Sequence, residues 1–240
     1  MQNLAGKTAV VTGAASGMGK AFAERFARAG MNVVLADVEQ PRLDDAVAAI
    51  RATGAQAIGV PTDVTDGAAV ERLRDAAIDA FERVNVLCNN AGVAGGPASG
   101  DEWVLENEWR WVLEVNMWGV IHGHRAFLPH LVEGGDGVGV SCLCPGWVNT
   151  EIDRSERNRP EWASPGLDVE PTAEEEAIRA FVTDQLRSGM EPAAVADLVH
   201  DAIIANQFWI FTDQLRVESL GGRYEALVAG TNPPAFDRGG

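Results

Sequence analysis

Short apolar runs alternate with longer segments whose apolar positions recur every three or four residues, and this rhythm holds for most of the chain. The first run is Thr8-Ala9-Val10-Val11. The segment Lys20–Gly30 follows, with Ala and Phe at helical steps and Gly30 as a stop. The second run, Asn32-Val33-Val34-Leu35-Ala36, ends in Asp37. A helix over 39–53 comes next, with Leu43, Val47 and Ile50 on one face. A third strand, Gln56–Val60, leads into Thr62-Asp63-Val64-Thr65-Asp66. Thr65 or Asp66 then caps a helix that runs to about Arg83 with Val70, Leu73, Ala77, Ile78 and Phe81 inward. The fourth strand, Val84–Cys88, ends in Asn89-Asn90-Ala91-Gly92. Strand–helix alternation of this kind predicts an α/β fold: a Rossmann-type, doubly wound parallel sheet with helices on both faces. The length of 240 residues suits one domain, 1–240.

Between the first strand and its helix lies Thr12-Gly13-Ala14-Ala15-Ser16-Gly17-Met18-Gly19. Glycines there permit tight backbone angles and leave no Cβ between the turn and a phosphate. The helix N-terminus offers N–H groups and a partial positive charge to a pyrophosphate. Three glycines alone also fit an ordinary turn, so the flanking strand and helix carry the reading. Asp37 stands at the end of the second strand, about 20 residues beyond the turn, where a carboxylate accepts hydrogen bonds from adenosine ribose hydroxyls. It repels a 2′-phosphate, and the following Val38 and Glu39 bring no cation to welcome one. NAD is therefore expected over NADP. Asp37 as a helix cap is the competing reading. Gly13, Asp37, Asp63 and Asn90 all fall at strand carboxyl ends, the edge where such sheets bind ligands.

Charge and composition narrow the partners. A formal net charge of −16 argues against nucleic acid and anionic membranes. No run reaches the roughly 18 apolar residues of a membrane span. The first residues show no signal pattern, which predicts a cytoplasmic protein. Cys88, Cys142 and Cys144 lie in apolar runs and are expected to be buried free thiols. No metal site is expected, since Cys142-x-Cys144 lacks a second ligand pair and His122 and His124 face different sides of a helix.

Further motifs follow. Thr12-Gly13-x-x-x-Gly17-x-Gly19, Asp63-Val64, Asn89-Asn90-Ala91-Gly92, Asn116 and Pro145-Gly146-Trp147-Val148-Asn149-Thr150 together resemble the short-chain dehydrogenase/reductase family, from Gly6 to about Thr212. The resemblance implies hydride transfer between NAD(H) and a secondary alcohol or ketone, by a homodimer or homotetramer. It implies that Ser16, Gly17, Met18 and Gly19 hold the cofactor with Gly13. Asp63 and Val64 would contact the adenine, and Asn90, Ala91 and Gly92 would lie by the adenosine ribose. Val148 and Thr150 would flank the nicotinamide. The helix from about Asn107 carries Trp111, Val115, Trp118 and His122 at helical spacing, with its apolar members expected in the core. By the resemblance Asn116 would open this helix and hold a relay water. Residues of about 151–190 would form a substrate lid.

The same resemblance calls for a serine and a Tyr-x-x-x-Lys pair between that helix and the Pro-Gly motif. That interval holds no tyrosine and no lysine. The chain's lysines are Lys7 and Lys20, and its single tyrosine is Tyr224, followed four residues later by Val228. The helix ends near Leu131-Val132-Glu133, and Gly134-Gly135-Asp136-Gly137 runs directly into Val138–Leu143. A strand plus crossover helix needs roughly 30 residues, so one central βα unit is missing. Three readings stay open: an incomplete rendering of an intact enzyme, a true deletion, or a catalytically inactive NAD-binding scaffold. If the unit is deleted, the strand over 138–143 is free to slide beside the fourth strand, bringing Ser141 to the site edge. A last helix from Pro192, a strand Phe208–Phe211 and a tail from Leu220, expected to be loosely ordered or to lie on a neighbouring subunit, follow.

Overall fold

A computed structural model describes residues 3–95, 106–133, 137–164 and 172–232. Strands β1 (Thr8–Thr12), β2 (Asn32–Asp37), β3 (Ala57–Pro61) and β4 (Val86–Cys88) form a parallel sheet in the order β3-β2-β1-β4. Ala9 pairs with both Val33 and Val86, so β1 lies in the middle. Helices α1 (Gly17–Arg28), α2 (Gln40–Ala52) and α3 (Gly67–Phe81) make the crossovers. Asp66 caps α3 by accepting the Ala68 N–H at 2.9 Å.

The sheet is apolar on both faces because each face is covered, as buried parallel strands require. On one face Val11, Val33 and Leu35 meet Phe22 and Phe26 of α1, Leu43 and Ile50 of α2, and Val195 and Val199 of α7 (Pro192–Ala205). On the other, Val10 and Val34 meet Leu73 of α3 and Phe127 of α5 (Gly119–Glu133). Alternation along β1 assigns Val10 and Val11 to opposite cores, following the two-residue period of a strand.

The helix expected from about Asn107 consists of α4 (Glu106–Leu113), a π-turn over Glu114–Trp118, and α5. Trp111 is buried, whereas Trp118 is exposed and does not join the core as its helical spacing suggested. The π-turn rotates the helix surface at that point, which defeats a count in steps of 3.6.

After α5 the architecture departs from expectation. Strand β5 is confined to Cys142–Cys144 and pairs in parallel with β6 (Trp209–Phe211), not with β4. Ser141 precedes β5 and donates its Oγ hydrogen to the Gln207 carbonyl at 2.6 Å, so it turns away from the cleft edge. Among the described residues, β4 and β5 each have one unpaired edge. Residues 134–136, within the Gly134–Gly137 junction, lie outside the described residues. All three cysteines are free but half-buried, rather than fully buried as expected. The tail from Leu220 also differs: helix α8 spans Gln214–Ala229, with Tyr224 and Leu227 exposed. Strong helix formers such as Glu225, Ala226 and Leu227 outweigh the Gly221-Gly222 pair. The Pro233-Pro234 stretch lies outside the described residues.

No described helix is long and apolar enough to cross a membrane, and the described residues contain no metal-ligand cluster. The chain from Glu151 onward forms 3₁₀ turns at Ile152–Asn158 and Glu161–Ala163, then α6 (Ala173–Ser188). Thr172 opens α6 with a reciprocal capping box to Glu175, so the acidic run Glu174–Glu176 forms the first turn of a helix.

Candidate active site

A cavity of about 320 Å³ lies along the carboxyl edge of the four-stranded sheet. Parallel pairing brings the ends of β1 to β4 to that one edge. The glycine turn forms its floor. Gly13 and Gly17 have φ of +65° and +54°, values that glycine alone adopts without strain. A Cβ on Gly13 would stand 2.8 Å from the Ala91 Cα, and one on Gly19 would run into the Gly13 carbonyl and the Asn90 amide. The turn therefore touches β4 so closely that only hydrogen fits. Ser16 occupies the N-cap of α1 without a side-chain cap hydrogen bond. The opening N–H groups of α1 thus lack a side-chain partner, and a pyrophosphate fits that cradle.

Thr12 and Asn90 brace the turn. Thr12 Oγ1 accepts the backbone N–H groups of Asn90 and Ala91 at 3.0 and 3.1 Å. Asn90 Nδ2 donates to the Thr12 and Gly13 carbonyls at 2.9 and 3.3 Å. Asp37 Oδ2 accepts the Ala15 N–H at 2.9 Å, and Oδ1 accepts the Glu39 N–H at 3.0 Å. Asp37 thus ties the glycine turn to the start of α2, while Glu39 occupies the helix N-cap. Asp63 accepts the Thr65 N–H and hydroxyl at 2.9 and 2.8 Å.

Gly13, Ser16, Gly17 and Met18 line the cavity, as do Asp37, Asp63 and Val64. Asn90, Ala91, Gly92 and Thr150 line it as well. Two expected residues do not reach it. Gly19 is buried beneath the turn, and Val148 is buried in the core where it bridges to Met190. Asn116 sits in the π-turn with both ends of its amide on Val93: Oδ1 accepts the Val93 N–H and Nδ2 donates to its carbonyl, each at 2.9 Å. The nearest described tyrosine candidate, Tyr224, lies on α8 and not in the cavity lining, and Lys20 faces a separate cavity of about 630 Å³.

Sequence reasoning missed the side-chain pairs that hold the cavity's roof. Glu151, Ile152, Ser155, Arg157, Asn158 and Trp162 close over the floor. Arg157 Nε and Asn158 Nδ2 both donate to Glu39 Oε1 at 2.9 Å. Arg42 Nη1 donates to Glu151 Oε2 at 2.7 Å. That pair raises the Arg42 pKa and holds the Glu151 carboxyl below its usual range. Arg159 makes a buried, two-pronged ion pair with Glu108 and lies over the Trp111 ring at 4.7 Å. No local sequence signal links such partners, since Glu39 and Arg157 are 118 positions apart. At the end of β4, burial pushes the Cys88 thiol up to about 12, marking it as an inert packing group.

A family model described as short chain dehydrogenase matches residues 7–138. The chain belongs to the short-chain dehydrogenase family. It is 48% identical over 130 residues to 1-deoxy-11-beta-hydroxypentalenate dehydrogenase of Streptomyces exfoliatus, covering 54% of this chain and 47% of the relative. It is 38% identical over 133 residues to glucose 1-dehydrogenase 2 of Bacillus subtilis, covering 55% and 51%. The chain thus spans about half the length of the curated relatives it matches. A short-chain dehydrogenase/reductase from Burkholderia phymatum, solved in complex with NAD, superposes with a TM-score of 0.88 at 36% identity over 100% of both chains. The α/β fold with a parallel central sheet is that of the family.

Proposed function

We propose that this short-chain dehydrogenase holds NAD(H) on its glycine turn and serves hydride transfer with a secondary alcohol or ketone. The cradle at Gly13–Gly19, in which Gly13 and Gly19 leave no room for a Cβ, is the observation that carries the reading. Bound there, the nicotinamide would accept or supply the hydride. Ser16 and the first turn of α1 would bind the pyrophosphate, Asp37 the adenosine ribose, and Asp63 and Val64 the adenine. Thr150, at the far wall, would orient the nicotinamide end. Asn116 keeps its π-turn joined to Val93, and so would position the cavity wall. The lid proposed for about 151–190 would exclude water through Ile152 and Trp162, which already line the cavity. A cytoplasmic location and a homodimer or homotetramer belong to the same proposal.

Proton transfer is the weak link. A positioned acid–base group contributes about 10²–10⁴-fold in rate, and the described cavity lining contains no tyrosine, lysine or histidine. That lining favours a second reading for this 240-residue chain by itself: a cofactor-binding scaffold with little or no turnover. NADH formation from a panel of secondary alcohols separates the two. Rates at least a hundredfold below an ordinary turnover of about 10 s⁻¹ are expected. Turnover at ordinary rates would refute the scaffold reading and demand another proton donor.

A further inference from the structure

The edge of the cavity beside Asp37 contains an anion cradle already filled by the protein's own carboxylate. Glu39 is two residues beyond Asp37 and its side chain is only 18% exposed. Its Oε1 accepts from Arg157 Nε and from Asn158 Nδ2, each at 2.9 Å. Its Oε2 lies 3.4 Å from Arg42 Nε. Two guanidiniums and an amide therefore converge on one carboxylate. Arg157 is itself held in place, because its Nη1 donates to the Arg154 carbonyl at 2.8 Å and the Glu151 carbonyl at 3.3 Å.

Planar guanidinium forks suit phosphate as well as carboxylate, and charge-assisted bonds of this kind are the strong ones. Asp37, Glu39, Arg157 and Asn158 line the same cavity. If that cavity holds the dinucleotide as proposed above, the ribose 2′-position reaches the neighbourhood of Asp37 and Glu39. The sequence around Val38 suggests no cation near this point, yet the fold delivers two, Arg42 from α2 and Arg157 from the 3₁₀ turn.

We propose that Glu39 is a specificity-determining residue: its carboxylate occupies the Arg42–Arg157–Asn158 cradle and so excludes the 2′-phosphate of NADP(H). This inference rests on the dinucleotide reading and deepens it. Asp37 repels the 2′-phosphate by charge, and Glu39 denies it the guanidinium of Arg157, the one arginine among the described residues that line this cavity, with Arg42 close behind. Specificity then comes from a blocked site as well as from a favourable one. Loss of the Glu39 charge leaves the Arg157 guanidinium without its anion beside the ribose and Arg42 paired with Glu151 alone, and the site accepts a phosphate in its place.

The experiment titrates NADH and NADPH into the native chain, Glu39→Ala, Glu39→Gln and the double variant Glu39→Ala/Arg157→Ala, following cofactor fluorescence. Circular dichroism melting confirms folding, and Glu39→Gln keeps the side-chain volume if the alanine variant is unstable. NADPH affinity should rise about ten- to hundredfold in the single variants, the gain expected of hydrogen bonds between charged groups. NADH affinity should change far less. The double variant should lose most of the NADPH gain. Unchanged NADPH affinity in a folded Glu39 variant, or a gain that survives removal of Arg157, overturns the proposal while leaving NADH binding intact. A native chain that binds no NADH overturns the dinucleotide reading itself.

Discussion

Gly19 shows how little freedom single residues have at this site. Its missing Cβ makes room for the Gly13 carbonyl and the Asn90 side chain, both backbone-anchored parts of the β1–β4 junction. Gly19→Ala cannot be relieved by moving a flexible side-chain end. Overpacking of this kind costs about 1–3 kcal/mol or more, and here it also displaces the turn that faces the cofactor. A lowered melting temperature together with NADH affinity reduced at least tenfold is expected, read by calorimetry and fluorescence titration. Glu151 makes a different prediction. Its folded-state pKa is lowered chiefly by the hydrogen bond from Arg42, so its contribution is present above the ordinary carboxylate value of 4.5 and lost as pH falls through the lower folded value. Native protein should therefore lose more thermal stability between pH 6 and the acid range than Arg42→Ala does. Equal losses would show that the pair contributes nothing. Both residues lie at the solvent edge, so the difference is small.

Among elements, the four-stranded sheet was legible because each strand is a compact apolar run with a turn behind it. Val33-Val34-Leu35 and the helical face of Leu43, Val47 and Ile50 read directly as β2 and α2. The same is true of Gly13, Asp37, Asp63 and Asn90, whose place at strand ends follows from counting. Three things were not legible. Partners across the cavity, such as Glu39 with Arg157 and Glu108 with Arg159, arise from tertiary contact and leave no local pattern. The π-turn at Glu114–Trp118 shifts the helical face, so Trp118 was misread as core. A true deletion would have left the strand over 138–143 free to slide beside β4, but the hydrogen bonds of β5 go to β6 because α7 leads β6 back to it on the core face of Leu143 and Ile210. A two-stranded sheet of three-residue strands is weaker than the five- and six-residue pairing of β1 and β2. Amide hydrogen exchange should run faster at Leu143 and Ile210 than at Val10 and Val34 by at least tenfold. Equal protection would mean that the two sheets open as one cooperative unit.

For the molecule as a whole, cofactor cradle and chemistry separate. The first half supplies a cradle that matches a dinucleotide, and the family model covers that half, residues 7–138. The second half supplies a roof, tethered through Glu39, Glu108 and Arg42, but no tyrosine, lysine or histidine among the described cavity residues. Among the described residues β4 and β5 belong to separate sheets, and the sequence reading expects a further βα unit between them. The account's central claim is that the Gly13–Gly19 cradle still binds NAD(H) without that unit. Isothermal titration of NADH into the native chain tests it most directly. One-site saturable binding in roughly the micromolar to millimolar range typical of such cofactor sites is the predicted result. A folded chain that shows no NADH binding at millimolar ligand would contradict it.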